Sequence, residues 1–303
     1  MITNFKEAYE RAVQFPPKRT VVVAAGDKDV LEAVYMAKKA NLIEPILIDS
    51  REKISAEAPP EFSLSKVEII DEANKIEQCK IGMELIRNQQ ASILMKGLIS
   101  TPVLFKEVLN KEYGIRKGKL LSHVGVIKSE VYHKMILMTD GGIVTDTCLE
   151  NKIEIIKNAL VVANALGIQK PKAALLSSIE TITSNIQSTI DAAIITKMCE
   201  RGQLPGVICD GPLALDNAVS EEACKHKGII SPVAGEMDIA VVPNIASGNI
   251  FYKVLVYLGG GKTETAGLVV GAMVPVVVPS RADTPENKYN SILIANLIAN
   301  TGN

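Results

Sequence analysis

The sequence predicts an α/β fold made of two units, each a parallel sheet covered on both faces by helices. Three observations carry this expectation. Short apolar runs alternate with stretches in which apolar residues recur at helical spacing. The alternation restarts around Asp140-Gly141-Gly142, near the middle of a 303-residue chain long enough for two domains of ordinary size. The apolar runs end on polar or turn residues, which is where open α/β sheets receive ligands.

The first alternation spans residues 19–50. Residues 20–24 read as a strand, Gly26-Asp27 as the turn after it, and Val30, Leu31, Val34, Ala37 and Ala40 as one helical face. Residues 45–48 form the next strand. The Gly26 turn lacks G-x-G-x-x-G and gives no support to a dinucleotide there. A third strand at 67–70 precedes a helix from about 72 to 88. A fourth, at 91–95, runs into Lys96-Gly97-Leu98-Ile99-Ser100-Thr101-Pro102, where a lysine, a glycine and two hydroxyls lead into a helix with Pro102 at its start. Backbone N–H groups at such a start, beside Lys96, suit a phosphate; a capped helix beside a surface lysine is the plainer alternative.

Strands at 120–127 and 135–139 carry Ser122 and His123 near the start of the first and Asp140 after the second. His123 reads either as an acid–base group or as a structural hydrogen-bonder. After the restart come a helix at 152–166, a strand at 172–177, a helix at 186–201 and a strand at 207–212. A helix at 221–227 and a strand at 238–243 follow, and residues 244–249 open the helix that carries Lys253. Gly259-Gly260-Gly261-Lys262-Thr263 fails as a phosphate-binding P-loop, because Val256 stands where glycine is needed and the segment follows a helix. A last apolar run at 274–278 ends at Pro279 and delivers Ser280, Arg281 and Asp283 into a turn. Thr284 is the expected N-cap of the closing helix and Pro285 its first residue.

Composition removes several function classes. A net charge of −1 and a pI near 6.4 give no broad field to attract nucleic acid or a membrane surface. Aromatic residues are 4% of the chain and Trp is absent, which speaks against base-stacking platforms. The five cysteines form no C-x-x-C pair and suit a reducing compartment. Residues 3–7 show no apolar leader region and no apolar run reaches membrane-spanning length. A soluble, cytoplasmic protein is the expectation.

Seven stretches in order resemble the phosphate acetyltransferase/phosphate butyryltransferase family. They are Met95-Lys96-Gly97 with Thr101; Leu121-Ser122-His123-Val124; Asp210-Gly211-Pro212-Leu213-Ala214-Leu215-Asp216; Lys227-Gly228-Ile229; Ala234-Gly235-Glu236-Met237-Asp238-Ile239; Pro243 through Lys253; and Pro279-Ser280-Arg281-Ala282-Asp283. The length and the Ser-Arg-Ala-Asp form of the last motif resemble the butyryl branch. The resemblance implies two three-layer α/β/α domains around a cleft, isocitrate/isopropylmalate dehydrogenase-like, with residues 1–139 plus 281–303 in one and 140–280 in the other. It also implies a homodimer or higher homo-oligomer. The implied reaction is reversible acyl transfer between CoA and phosphate through an acyl phosphate, with CoA or acyl-CoA as co-substrate and no tightly bound cofactor. Butyryl-CoA or another short acyl-CoA is the expected substrate, with acetyl transfer the alternative. A decarboxylating NAD(P)-dependent dehydrogenase of related fold and a non-catalytic acyl-CoA-binding protein are the readings from other classes.

A free thiol has pKa about 8.5, so only a few per cent of CoA is thiolate at pH 7. The larger demand is the oxyanion that forms beside an anionic phosphate, and a fixed guanidinium meets it. Arg281 is the expected oxyanion partner, and the resemblance implies that Ser280 hydrogen-bonds the thiol or thiolate. In the acetyl branch an aspartate lies seven residues after the motif serine. Asn287 stands there in this chain, so the base falls to Asp283, with Glu286 as alternative, or is absent. Lys96, Thr101 and Ser122 are expected to hold phosphate or acyl phosphate, with Asn249 and Lys253 as further substrate-binding candidates. Arg116, Lys117 and Lys119 either grip CoA phosphates or form a solvated basic turn. Asp210, Asp216 and Asp238 are read as capping or turn residues, with no metal site.

Overall fold

The computed structural model describes residues 1–259, 262–280 and 283–301. Contacts divide the chain into two units, the first comprising Phe5–Lys119 and Ala266–Asn303, the second Met1–Asn4 and Leu120–Thr265.

In chain order the first unit begins with helix α1 (Phe5–Ala12), then β1 (Lys18–Val23), α2 (Lys28–Lys39), β2 (Ile43–Asp49), α3 (Arg51–Glu57), β3 (Glu68–Asp71), α4 (Lys75–Arg87), β4 (Ile93–Lys96) and α5 (Thr101–Val108). Successive residues of β1, β2 and β4 are buried whichever way they point, the environment an unbroken apolar run requires. Caps set the helix starts: Asp27 accepts the Val30 N–H, Ser50 that of Lys53, and Asn74 those of Ile76 and Glu77. The short helices α1, which buries Phe5, Ala8 and Ala12, and α3, which buries Ile54, escape the sequence reading.

The second unit carries β5 (Ser122–Ser129), β6 (Ile136–Thr139), α6 (Leu149–Ala165), β7 (Lys172–Leu176), α7 (Gln187–Glu200), β8 (Ile208–Leu213), α8 (Leu215–Val219), α9 (Glu221–Lys227), β9 (Ile239–Val241) and α10 (Ile245–Leu258). Its strand order is β5-β6-β9-β7-β8. Strand β10 (Thr263–Val270) runs from the second unit into the first, where β11 (Val276–Val277) and α11 (Pro285–Thr301) complete the chain. The first unit's order is β3-β2-β1-β4-β11-β10. Helix α11 is fixed to this sheet's surroundings by Asn296 Nδ2 donating to the Leu42 carbonyl at 2.6 Å. The Gly267 N–H also donates to Ser291 Oγ at 2.9 Å.

Two corrections to the expected topology follow. The sheets are mixed, because β5–β6 and β10–β11 pair antiparallel. Their connections, residues 130–135 and 271–275, are too short for the dozen or more residues that a parallel crossover needs. Strand β10 itself replaces what reads from sequence as the tail of a glycine-rich loop. Pairing also explains where the contacts divide the chain. β6 pairs with both β5 and β9, which keeps 120–139 in the second unit, and β11 pairs with β4, which keeps the strand before Ser280 in the first. The boundaries expected from sequence, 139/140 and 280/281, lie later along the chain.

Candidate functional site

In the first unit β1, β4 and β11 run parallel, with Val23 opposite Lys96 and Met95 opposite Val277. Their carboxyl ends therefore lie along one edge of the sheet. Beyond β4 the chain stays close to β1: the Gly97 N–H donates to Val23 O at 2.8 Å and the Leu98 N–H to Ala24 O at 2.7 Å. A Cβ on Gly97 would stand 2.0 Å from Ala24 O, so the position admits only glycine. This close approach buries Lys96 to 4% exposure, and its ammonium donates to Ile99 O at 3.1 Å. Thr101 opens α5, half-buried, with Ser100 as its N-cap residue.

Beyond β11, on the same edge, Ser280 and Asp283 exchange two hydrogen bonds. The Ser280 N–H donates to Asp283 Oδ2 at 2.7 Å, and the Asp283 N–H donates to Ser280 O at 3.2 Å. Asp283 is 7% exposed. Thr284 caps α11 as its sequence predicts, accepting the Asn287 N–H on Oγ1 at 3.3 Å. Lys288 is a residue that sequence reasoning passes over. Only 3% exposed, it donates from Nζ to the Asp283 carbonyl and lies 3.7 Å from Asp29 Oδ2 at the start of α2. A lysine in the first turns of a helix was the available signal. Arg281 lies outside the described residues, and Glu286 is exposed in the first turn of α11.

In the second unit the reversal between β5 and β6 puts the start of β5 beside the end of β6. The Asp140 carboxylate binds the junction, accepting the N–H groups of His123 at 2.7 Å, Gly142 at 2.7 Å and Ile143 at 2.8 Å. Half-buried His123 meets Tyr252 edge-on, with ring centroids 6.4 Å apart. Asn249 reaches the same junction, donating from Nδ2 to Gly141 O at 3.3 Å. Lys253, one turn further along α10, is exposed with its ammonium over the Tyr257 ring. Ser122, expected among the phosphate ligands, is fully buried, and its hydroxyl accepts from Asn158 Nδ2 at 2.8 Å. In this arrangement it secures the start of β5 and presents no surface to a substrate.

The remaining candidates separate. Asp238 sits at the amino end of β9 in a 2.8 Å ion pair with buried Lys134, while Asp216 pairs with Lys227 at 2.9 Å. Among the described residues no three His, Cys, Asp or Glu side chains group as metal ligands. Arg116 spends its guanidinium on the carbonyls of Gly118 and Lys119 in its own turn. Lys117 lines a groove of about 590 Å³ with Ser92 and Pro275, which precede β4 and β11, at the amino edge of that sheet. The cysteines are free, and Cys79, Cys209 and Cys224 are buried. Burial, seconded by the Glu107 carboxylate, pushes the Cys79 thiol up to about 12, the opposite of a nucleophile's requirement.

A family model described as phosphate acetyl/butaryl transferase matches residues 65–296. The chain belongs to this family. Phosphate butyryltransferase of Clostridium beijerinckii is 41% identical over 300 residues, which cover 99% of this chain and 99% of that protein. Phosphate acetyltransferase of Thermotoga maritima is 40% identical over 285 residues, covering 93% and 95%. Among solved structures, a branched-chain phosphotransacylase from Enterococcus faecalis superposes with a TM-score of 0.82 at 31% identity, over 93% of this chain and 99% of that one. The phosphate acetyl/butyryl transferase relatives are thus acyltransferases of both the butyryl and the acetyl kind. Among the described residues no helix is long and apolar enough to cross a membrane.

Proposed function

We propose that this protein is a phosphate acyltransferase that moves a short acyl group, butyryl above all, reversibly between CoA and inorganic phosphate. Family membership supports the reaction class. The observation that carries the site is the register of β4 and β11, which sets Lys96 and the Ser280 turn on one carboxyl edge.

In the direction that consumes acyl phosphate, the CoA sulfur attacks the acyl carbon, a tetrahedral oxyanion forms, and phosphate departs with the bonding electrons. Ser280 is assigned to orient the thiol. Asp283, its carboxylate already held by the Ser280 N–H, is assigned to take the thiol proton. Arg281 is assigned to neutralise the oxyanion, where one fixed donor is worth about 2.7–4 kcal/mol. Lys96, Thr101 and the N–H groups at the start of α5 are assigned to the phosphate. Asn249 and Lys253 supply further substrate contacts from α10, and Ser122 acts indirectly by fixing the strand that bears His123. CoA is the co-substrate, with no tightly bound cofactor.

The two units are read as two domains of the isocitrate/isopropylmalate dehydrogenase kind, in a cytoplasmic homodimer or higher homo-oligomer. Helix α10 supports self-association, since it leaves Ile250, Val254, Tyr257 and Leu258 exposed at helical spacing.

The deciding experiment follows CoA release from acetyl-, propionyl-, butyryl- and isobutyryl-CoA in the presence of phosphate, with sedimentation velocity for the assembly. Highest kcat/KM is expected with the four-carbon chains, each methylene being worth about 1–3 kcal/mol in a fitted pocket. No CoA release from any of them, or NAD(P) reduction with a 2-hydroxy acid instead, would overturn the reading.

A further inference from the structure

We propose that Lys288 is a positioning residue for this reaction, fixing the backbone of Asp283 and, through it, the turn that presents Ser280. The inference rests on the acyltransferase reading for its kinetic consequence and on geometry alone for its structural one.

Lys288 breaks two local rules at once. Its ammonium is almost wholly removed from water, which is costly for a charge unless it is paired and hydrogen-bonded. It also stands at the fourth position of α11, near the helix end whose dipole disfavours a cation. Side chains that violate local preferences in this way concentrate at functional sites. Here the compensation is visible. Nζ donates to the Asp283 carbonyl and faces Asp29 Oδ2 at 3.7 Å, so one side chain ties the first turn of α2, the start of α11 and the turn after β11. Asp283 in turn holds the Ser280 N–H. An ordered path therefore runs Asp29–Lys288–Asp283–Ser280, and its first two members, Asp29 and Lys288, are not themselves assigned to touch substrate. Loss of the ammonium frees the Asp283 carbonyl, and a shift of about 1 Å in a reacting group can cost about 100-fold in rate.

The test uses the full-length protein with Lys288→Met, Lys288→Arg and Asp29→Asn. For Lys288→Met, kcat with butyryl-CoA and phosphate is expected to fall about 10- to 100-fold while both KM values stay within about threefold. Lys288→Arg is expected to recover most of the loss, and Asp29→Asn to show a smaller loss with the same kcat-weighted split. Hydrogen exchange at the Ser280 amide is expected to quicken in Lys288→Met, with exchange in α6 and α7 unchanged. A folded Lys288→Met with kcat within twofold of wild type overturns the proposal. So does a rise in the phosphate KM at constant kcat, which would make Lys288 a substrate ligand. If the wild type releases no CoA, the functional reading fails, yet the exchange measurement still judges Lys288: unchanged protection at Ser280 rejects it. If Lys288→Met does not fold, Lys288→Arg and Asp29→Asn decide. Wild-type kcat and Ser280 protection in Asp29→Asn would count against the proposal.

Discussion

The Asp283 carboxylate accepts the Ser280 N–H at 2.7 Å while the Asp283 N–H returns a bond to Ser280 O at 3.2 Å. The residue proposed as base is thus also the residue that holds the backbone of Ser280, which is assigned to orient the attacking thiol. Shape and basicity can be separated, because asparagine keeps an acceptor oxygen and loses the affinity for a proton.

Asp283→Asn is expected to keep the melting temperature and to lower turnover at least about 100-fold, the usual scale for a lost general base. The pH–rate profile should flatten on its acidic limb. Asp283→Ala should in addition destabilise the fold by about 1–3 kcal/mol, since the Ser280 N–H loses its partner. Unchanged turnover of Asp283→Asn across pH would remove the carboxylate from the proton transfer.

Arg281→Lys keeps the charge but loses the bidentate fork, so a drop in kcat of about 100-fold or more is expected with the fold intact. Steady-state kinetics with butyryl phosphate and CoA would check it. A lysine variant as fast as wild type would mean that charge alone suffices at this position.

A buried ion pair braces the second unit. Lys152 and Asp191 join α6 to α7 at 2.6 Å, both nearly unexposed, and Gln187 Nε2 donates to the other Asp191 oxygen at 2.8 Å. Lys152→Met alone should cost about 3–5 kcal/mol by stranding the carboxylate. Lys152→Met combined with Asp191→Leu should recover most of it, because the desolvation penalty disappears with both charges. Urea unfolding of the three proteins distinguishes this from simple loss of packing, in which the two costs would add.

Stability should fall at high pH. Tyr289 is pushed up to about 12, chiefly by burial, and Tyr113 to about 12, chiefly by its hydrogen bond to the Glu107 carboxylate. Each raised phenol favours the fold while protonated. Their contribution is complete below the unfolded value near 10 and is lost as pH rises through about 12. Thermal melts between pH 8 and 12 should show a decline beginning near pH 10. Tyr289→Phe, which cannot ionise, should make that decline shallower.

The carboxyl-edge location of Lys96 and Ser280 was legible because each follows an apolar run and precedes a helix start, a pattern of local chemistry. The cap at Thr284 was legible for the same reason. Antiparallel pairing of β5 with β6 was hidden only in part, since the six residues 130–135 already exclude a parallel crossover. Strand β10 was obscured by the glycines before it. Ser122 misled, because a hydroxyl beside a histidine reads the same whether it faces a substrate or, as found, Asn158.

By itself the sequence determined most of the alternation of strands and helices, the starts of α9 and α11, and the order of the motifs that mark the family. All of these depend on residues within a few positions of one another. Only the tertiary structure decided which strands run antiparallel, which lysines are buried, and that Lys288 meets Asp283 and Asp29. Periodicity reports which face of an element is apolar. It carries no information on which distant backbone a buried ammonium will find, and that contact is set by the packing of α11 beside α2.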